Sequence, residues 1–256
     1  MAGLPRESTK KQFKKLLKKS GKSKTNTMYG ATATNKNIST YDPGAKEHLI
    51  TKFKSFVNEA FSSKCTIGID IDGTICNFSD AYNQLYKQYF PNKETVVNDN
   101  WYWYRSMDYD GQDPDKWFKE KKAEIFGIAQ PYQDAVVTIN NVYDFIKTHG
   151  HSLKIVTNQP TPESKEAAKK WLDKYGFKYD DLVFVEAAKD KWSHADVMVD
   201  DAEKVIGNKP LSKVAIKIQQ LWNTNVEGDF NIQSIRSLTI NLIQQAIANL
   251  KITKTL

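Results

Sequence analysis

Three short apolar runs each end in polar residues, and the residue types suit one kind of chemistry. Cys65-Thr66-Ile67-Gly68-Ile69 runs into Asp70-Ile71-Asp72-Gly73-Thr74, and Ser152–Val156 runs into Thr157-Asn158. Asp196–Val199 runs into Asp200-Asp201, with Lys189-Asp190-Lys191 shortly before it. Clustered carboxylates take a hard cation such as Mg²⁺ through oxygen and leave positions for phosphate and water. One carboxylate could attack phosphorus and split a hydrolysis into two easier displacements. A second, two residues on, could protonate the leaving oxygen and later deprotonate water. A hydroxyl, backbone N–H groups and a lysine suit the phosphoryl oxygens, where negative charge develops.

Each piece alone has a plainer explanation. Asp72-Gly73 is a common turn, Asp200-Asp201 a common helix cap, and Lys189 and Lys191 could be solvated charges. A calcium loop opened by Asp70 fails, because Thr74, Ile75 and Ala81 stand where that loop wants Asp or Asn, Gly and Glu. The four histidines and two cysteines show no ligand spacing. Position makes the difference: ligands of open parallel sheets bind beyond the carboxyl ends of the strands, where these groups collect.

Elements able to hold them there are legible. Strands are expected at Cys65–Ile69, Ser152–Val156, Leu182–Val185, Asp196–Val199 and Val214–Ile218. Helices are expected around Ile50–Phe61, through much of 78–130, from Ala135 to Ile146, after Thr161-Pro162-Glu163, and from about Ile232 to Leu250. Thr161 caps the fourth of these, with Pro162 at its first position and Glu163 favoured by the helix dipole. Short apolar runs alternating with helices imply an α/β fold, a parallel sheet layered between helices.

The chain has 256 residues and a formal charge of +7, placed unevenly. Residues 1–24 carry eight lysines and Arg6 against the single acid Glu7, so the remainder is near neutral. Residues 1–43 are rich in Lys, Ser, Thr and Asn, cannot bury enough apolar surface to offset their ordering entropy, and are expected to form a mostly disordered basic leader. Its charge suits non-specific nucleic-acid contact, or simply keeps a tail solvated. No apolar stretch is long enough to span a membrane, no signal-peptide pattern opens the chain, and two cysteines make no disulfide framework. A cytoplasmic setting is expected.

Asp70-Ile71-Asp72-Gly73-Thr74, Thr157, Lys191 and Asp200-Asp201 resemble the four motifs of the haloacid dehalogenase superfamily of phosphohydrolases. The finer resemblance, over residues 64–225, is to its cytosolic 5'-nucleotidase (deoxyribonucleotidase) family, with Phe78 four residues beyond Thr74 and Asp190-Lys191 before Val-Met-Val-Asp-Asp. The resemblance implies a Rossmann-like three-layer core over 44–77 and 131–256, with a small helical cap over 78–130. It implies Asp70 as nucleophile, Asp72 as general acid/base, Thr157 with the Asn158 backbone on the phosphate, and Lys191 (Lys189 being the alternative) neutralising it. Mg²⁺ would be held by Asp70, the Asp72 carbonyl and Asp200, with Asp201 assisting. Gly73 and Thr74 belong to the same substrate-binding loop.

The inserted segment should decide the substrate. Most of its aromatics must build its own core, but Phe78 with Trp101 or Trp103 could sandwich a planar base. Asp108-Tyr109-Asp110-Gly111 follows no apolar run and is expected to be a solvated loop, and Trp222-Asn223 only to close the sheet. The expected substrate is a nucleoside 5'-monophosphate, a deoxyribonucleotide by the resemblance. An end phosphatase for DNA or RNA, and a nucleic-acid-binding or assembly protein with an idle phosphatase domain, remain alternatives.

Overall fold

A computed structural model describes the backbone of residues 64–254 and the side chains of residues 64–250. The basic leader and the helix expected around Ile50–Phe61 lie outside the described residues. Six strands, β1 (Thr66–Ile69), β2 (Ser152–Thr157), β3 (Asp181–Phe184), β4 (Val197–Asp200), β5 (Val214–Ile218) and β6 (Phe230–Ile232), form one sheet in the order β3-β2-β1-β4-β5-β6. Every pairing is parallel, with Ile69 beside both Ile155 and Val199. The chain winds outward from β1 to β3, then returns to β4 and winds the other way. The reversal therefore falls between β1 and β4, the seam where open α/β sheets bind ligands.

Both sheet faces are covered, which is why the strands read as nearly continuous apolar runs. Leu153 and Ile155, Val197 and Val199, and Val214 and Ile216 pack on one side with Ile139, Val142, Ile243 and Ile247. Those partners come from α3 (Ala135–Thr148) and α6 (Ile240–Lys254). Val156, Met198 and Ala215 point to the other side, where they meet Trp192 and, from α5 (Glu203–Gly207), Val205 and Ile206. Side chains alternating across a strand with period two put neighbouring residues in different layers.

Between β1 and β2 the chain inserts α1 (Phe78–Tyr89), a 3₁₀ turn (Trp103–Ser106) and α2 (Pro114–Ile128). Asp113 caps α2 by accepting from the Lys116 N–H at 3.0 Å, and Pro114 opens it. Aromatic rings build this segment: Tyr82 lies 4.8 Å from Trp103 and 5.4 Å from Trp117, and Tyr104 stacks on Phe118 at 4.7 Å. Each such pair contributes about 0.5–1.5 kcal/mol beyond area burial. After α2, α4 (Pro162–Tyr175) packs against it through Trp171, whose Nε1 donates to the Ala129 carbonyl at 2.9 Å.

Three expectations change. The final helix starts at Ile240 rather than Ile232, because Phe230 and Ile232 pair with Ile216 and Ile218 as an edge strand. A three-residue strand is too short to leave a periodic signal. The 78–130 stretch is two helices and one 3₁₀ turn separated by loops. The Asp108–Gly111 loop has exposed acids, but its Tyr109 is buried, with its hydroxyl 2.5 Å from that of Tyr82. Thr161 caps α4 as expected, accepting from the Ser164 N–H at 3.1 Å.

Candidate active site

Asp70 follows β1 and Asp200 ends β4, so strand pairing alone sets these carboxylates side by side. Oxygens of Asp70, Asp200 and Asp201 lie within 4.8 Å of one another, all three residues being buried. Lys191, 3% exposed on the 3₁₀ turn Ala188–Ser193, is their counterion. Its Nζ donates to Asp200 Oδ2 at 2.8 Å and makes a 2.9 Å charge contact with Asp70 Oδ1. Lys189, the alternative, is exposed.

One ammonium among three carboxylates leaves the cluster negative. Burial pushes the Asp200 carboxyl up to about 7, helped by Asp70 and opposed by Lys191. Burial and then its two neighbours push Asp201 well above the carboxylate range. Burial works against the charge on Lys191 too, but Asp200 and Asp70 outweigh it and the ammonium is held more firmly than usual. Three hard oxygen donors and surplus negative charge are what a small divalent cation neutralises. The residues fit such an ion.

The loop after β1 is tightly wound: the Ile71 carbonyl accepts from the Ile75 and Cys76 N–H groups at 3.0 and 2.9 Å. Gly73 has φ +74°, and a Cβ there would come 2.3 Å from Asp201 Oδ2. Gly73→Ala should thus destabilise the fold by about 1–2 kcal/mol from the left-handed backbone alone, and displace Asp201. Denaturant unfolding checks this, and an unchanged midpoint would refute it.

Thr74, expected at the substrate, is fully buried and donates its hydroxyl to Asp201 Oδ1 at 3.1 Å. Trp222 and Asn223 do more than close the sheet. Trp222 Nε1 donates to Asp201 Oδ2 at 3.1 Å, and Asn223 Nδ2 to the Asp201 carbonyl at 2.7 Å. Buried Lys217 ties that loop down through the Asn223 and Val226 carbonyls, at 3.1 and 2.8 Å. The Thr74 and Trp222 contacts to Asp201 join positions 127 and 21 apart in the sequence, so no local spacing announces them.

Asp72 faces a different set of partners. Its Oδ2 is 2.9 Å from Lys122 Nζ and accepts from Gln159 Nε2 at 3.3 Å, while Oδ1 is buried with no hydrogen-bond partner among the described residues. Burial raises the Asp72 carboxyl, an effect that Lys122 opposes and Asp70 reinforces. Gln159 Nε2 also donates to Thr157 Oγ1 at 3.2 Å, and Asn158 Nδ2 to the Val185 and Glu186 carbonyls at 2.8 and 2.7 Å. Lys122 escaped the sequence reading, although a lysine between Phe118 and Phe126 on one helix face breaks an apolar stripe and was a usable signal.

A cavity of about 480 Å³ opens onto these groups. Asp70, Asp72, Thr157, Asn158, Lys191 and Asp201 line one part of it, and Phe78, Trp101, Trp103, Tyr104, Phe118 and Trp222 also line it. Trp103 is nearly buried, whereas Trp101 is 40% exposed.

A parallel sheet with paired carboxylates after β1, a hydroxyl after β2, and a lysine and two further carboxylates around β4 defines a haloacid dehalogenase-type phosphatase. The chain belongs to the 5' nucleotidase, deoxy (pyrimidine), cytosolic type C family, whose sequence profile matches residues 64–246. Its fold is similar to that of the putative HAD-hydrolase YfnB from Bacillus subtilis, solved bound to magnesium, with TM-score 0.50 and 15% identity, over 72% of this chain and 100% of that one. CbbY from Rhodobacter sphaeroides, solved in complex with phosphate, matches with TM-score 0.47 and 12% identity, over 69% and 96% of the two chains. No curated protein sequence matches the chain.

Proposed function

We propose that the protein is a Mg²⁺-dependent phosphomonoesterase that hydrolyses nucleoside 5'-monophosphates, deoxyribonucleotides in particular, through a phosphorylated Asp70. The observation that carries this reading is the aromatic cavity opening directly onto the carboxylate–lysine cluster. Asp70 attacks phosphorus, and Asp72 protonates the departing 5' oxygen. Asp72 then takes a proton from water, whose oxygen attacks phosphorus and frees Asp70 and phosphate. Thr157, the Asn158 backbone and Lys191 hold the phosphoryl oxygens, while Gly73 lets the loop approach closely. Asp70, Asp200, Asp201 and the Asp72 carbonyl would hold Mg²⁺, which when bound supplies charge neutralisation for the phosphoryl group.

The insertion over 78–130 acts as the cap on a core whose described part is 64–77 and 131–254, the expected 44–63 portion lying outside the described residues, and Phe78 with Trp101 or Trp103 forms the base platform. The setting we propose is cytoplasmic; both cysteines, Cys65 and Cys76, are buried. No helix among the described residues is long and apolar enough to cross a membrane.

One observation favours a second reading, an end phosphatase for DNA or RNA. A further cavity of about 240 Å³, lined by Arg105, Asp115, Lys119 and Pro160, shares Lys122, Asn158, Tyr104 and Phe118 with the first and would give a longer strand somewhere to go. The basic leader could add nucleic-acid contact to either activity.

A phosphate-release screen separates the readings. Mononucleotides should outperform sugar phosphates, p-nitrophenyl phosphate and 5'-phosphorylated oligonucleotides; faster release from oligonucleotides would establish the end phosphatase instead. Absence of release from every ester would leave the binding or assembly role. Stacking is worth about 1–3 kcal/mol per base, so losing the platform should cut selectivity for nucleotides over p-nitrophenyl phosphate by about 5- to 150-fold. Trp101→Ala is the cleaner test, because Trp103 also packs on Tyr82 and its loss would loosen the insertion. Unchanged selectivity in both variants would exclude these two indoles as the platform.

A further inference from the structure

We propose that Lys122 is a positioning residue for departure of the leaving group: from inserted helix α2 it holds Asp72 Oδ2, together with Gln159, and so fixes the carboxyl group that transfers the proton. This rests on the phosphatase reading above and extends it to a residue outside the four motifs. Lys122 is 5% exposed on a helix face it shares with Phe118, Ile125 and Phe126. Its Nζ sits 5.6 Å from the ring centres of both Phe78 and Phe118. Leucine or methionine would fill such surroundings without the cost of desolvating an ammonium, so packing alone gives no reason for a lysine there.

Its contacts give one. Nζ lies 2.9 Å from Asp72 Oδ2 and donates to the Asn158 carbonyl at 3.0 Å, so one cation joins α2, the loop after β1 and the loop after β2. Gln159 Nε2 donates to the same Oδ2, while Asp72 Oδ1 is buried with no hydrogen-bond partner among the described residues. Two donors on one oxygen fix the plane of the carboxyl group beside the cavity that Asp72 lines. In the first displacement the bond from Asp70 to phosphorus forms as the bond from phosphorus to the 5' oxygen breaks, and the proton on the Asp72 carboxyl passes to that oxygen. In the second, the Asp72 carboxylate takes a proton from the attacking water. Because Lys122 belongs to the insertion, the carboxyl is correctly aimed only with α2 docked over the sheet, which ties proton transfer to an enclosed substrate.

The test compares two leaving groups in the full-length protein with saturating Mg²⁺. A nucleoside 5'-monophosphate expels a poor alkoxide that needs the proton, and p-nitrophenyl phosphate expels a stable phenolate that needs it far less. Lys122→Met should lower kcat on the nucleotide by about 10²–10⁴-fold, the range general-acid catalysis supplies, and on the aryl ester by at least tenfold less. KM for the nucleotide should stay within about threefold, and Lys122→Arg should recover part of the loss. Lys122→Gln takes the place of methionine should that variant fail to fold. Equal losses on both esters would mark a merely structural lysine, and a rise in KM alone would mark a direct phosphate contact; either overturns the assignment, as would unchanged kcat. A wild-type protein inactive on both esters would instead fail the phosphatase reading, and this inference with it.

Discussion

Asp70→Asn should abolish phosphate release, by on the order of 10⁴-fold or more, in a protein that folds normally. Asparagine keeps the shape of the side chain but removes the attacking charge and one oxygen ligand of the cation. Loss of activity without loss of structure is expected for a specific reason. Asp70, Asp200 and Asp201 crowd within 4.8 Å around the single ammonium of Lys191. Neutralising one of three buried carboxylates relieves repulsion, so the metal-free thermal midpoint should stay level or rise. The measurement is initial-rate phosphate release beside a melting curve. Wild-type turnover in the folded variant would rule out Asp70 as nucleophile.

Lys191→Met should be severely but less completely impaired, and with the opposite effect on stability. The ammonium holds Asp200 Oδ2 at 2.8 Å and Asp70 Oδ1 at 2.9 Å, and removing it leaves buried acids with no cation between them. Breaking a buried pair by deleting one partner costs about 3–5 kcal/mol, and losing a phosphoryl-oxygen contact costs about 10²–10³ in kcat. Saturating Mg²⁺ should restore part of the stability, because it replaces positive charge among the same carboxylates, but little of the turnover. Denaturant unfolding with and without Mg²⁺, beside kcat, reads both effects. Unchanged stability and turnover would remove Lys191 from the site and return Lys189 as the phosphate lysine.

What could be read in the sequence was whatever depends on neighbours along the chain. β1 and β4 are short apolar runs closed by aspartates, and once the sheet is parallel those aspartates must meet at its carboxyl edge. α4 was legible in detail because Thr161, Pro162 and Glu163 act within one helical turn. Phe230–Ile232 shows the limit: three residues carry no period, and only pairing with β5 makes them a strand rather than the start of a helix. Tyr109 shows it again, because a hydrophilic loop hides a buried ring whose hydroxyl partner lies 27 residues away.

An α/β chain with an acidic cluster at the strand ends follows from residue order, since residue type and position at an apolar run's end are local properties. Tertiary structure decided which of two lysines enters that cluster, burying Lys191 and leaving Lys189 in solvent. It also decided which distant groups hold the carboxylates: Trp222 and Asn223 on Asp201, Lys122 and Gln159 on Asp72. Such contacts depend on how crossovers and an inserted helix fold back over the sheet. No spacing in the chain encodes a 2.9 Å approach between residues 50 positions apart.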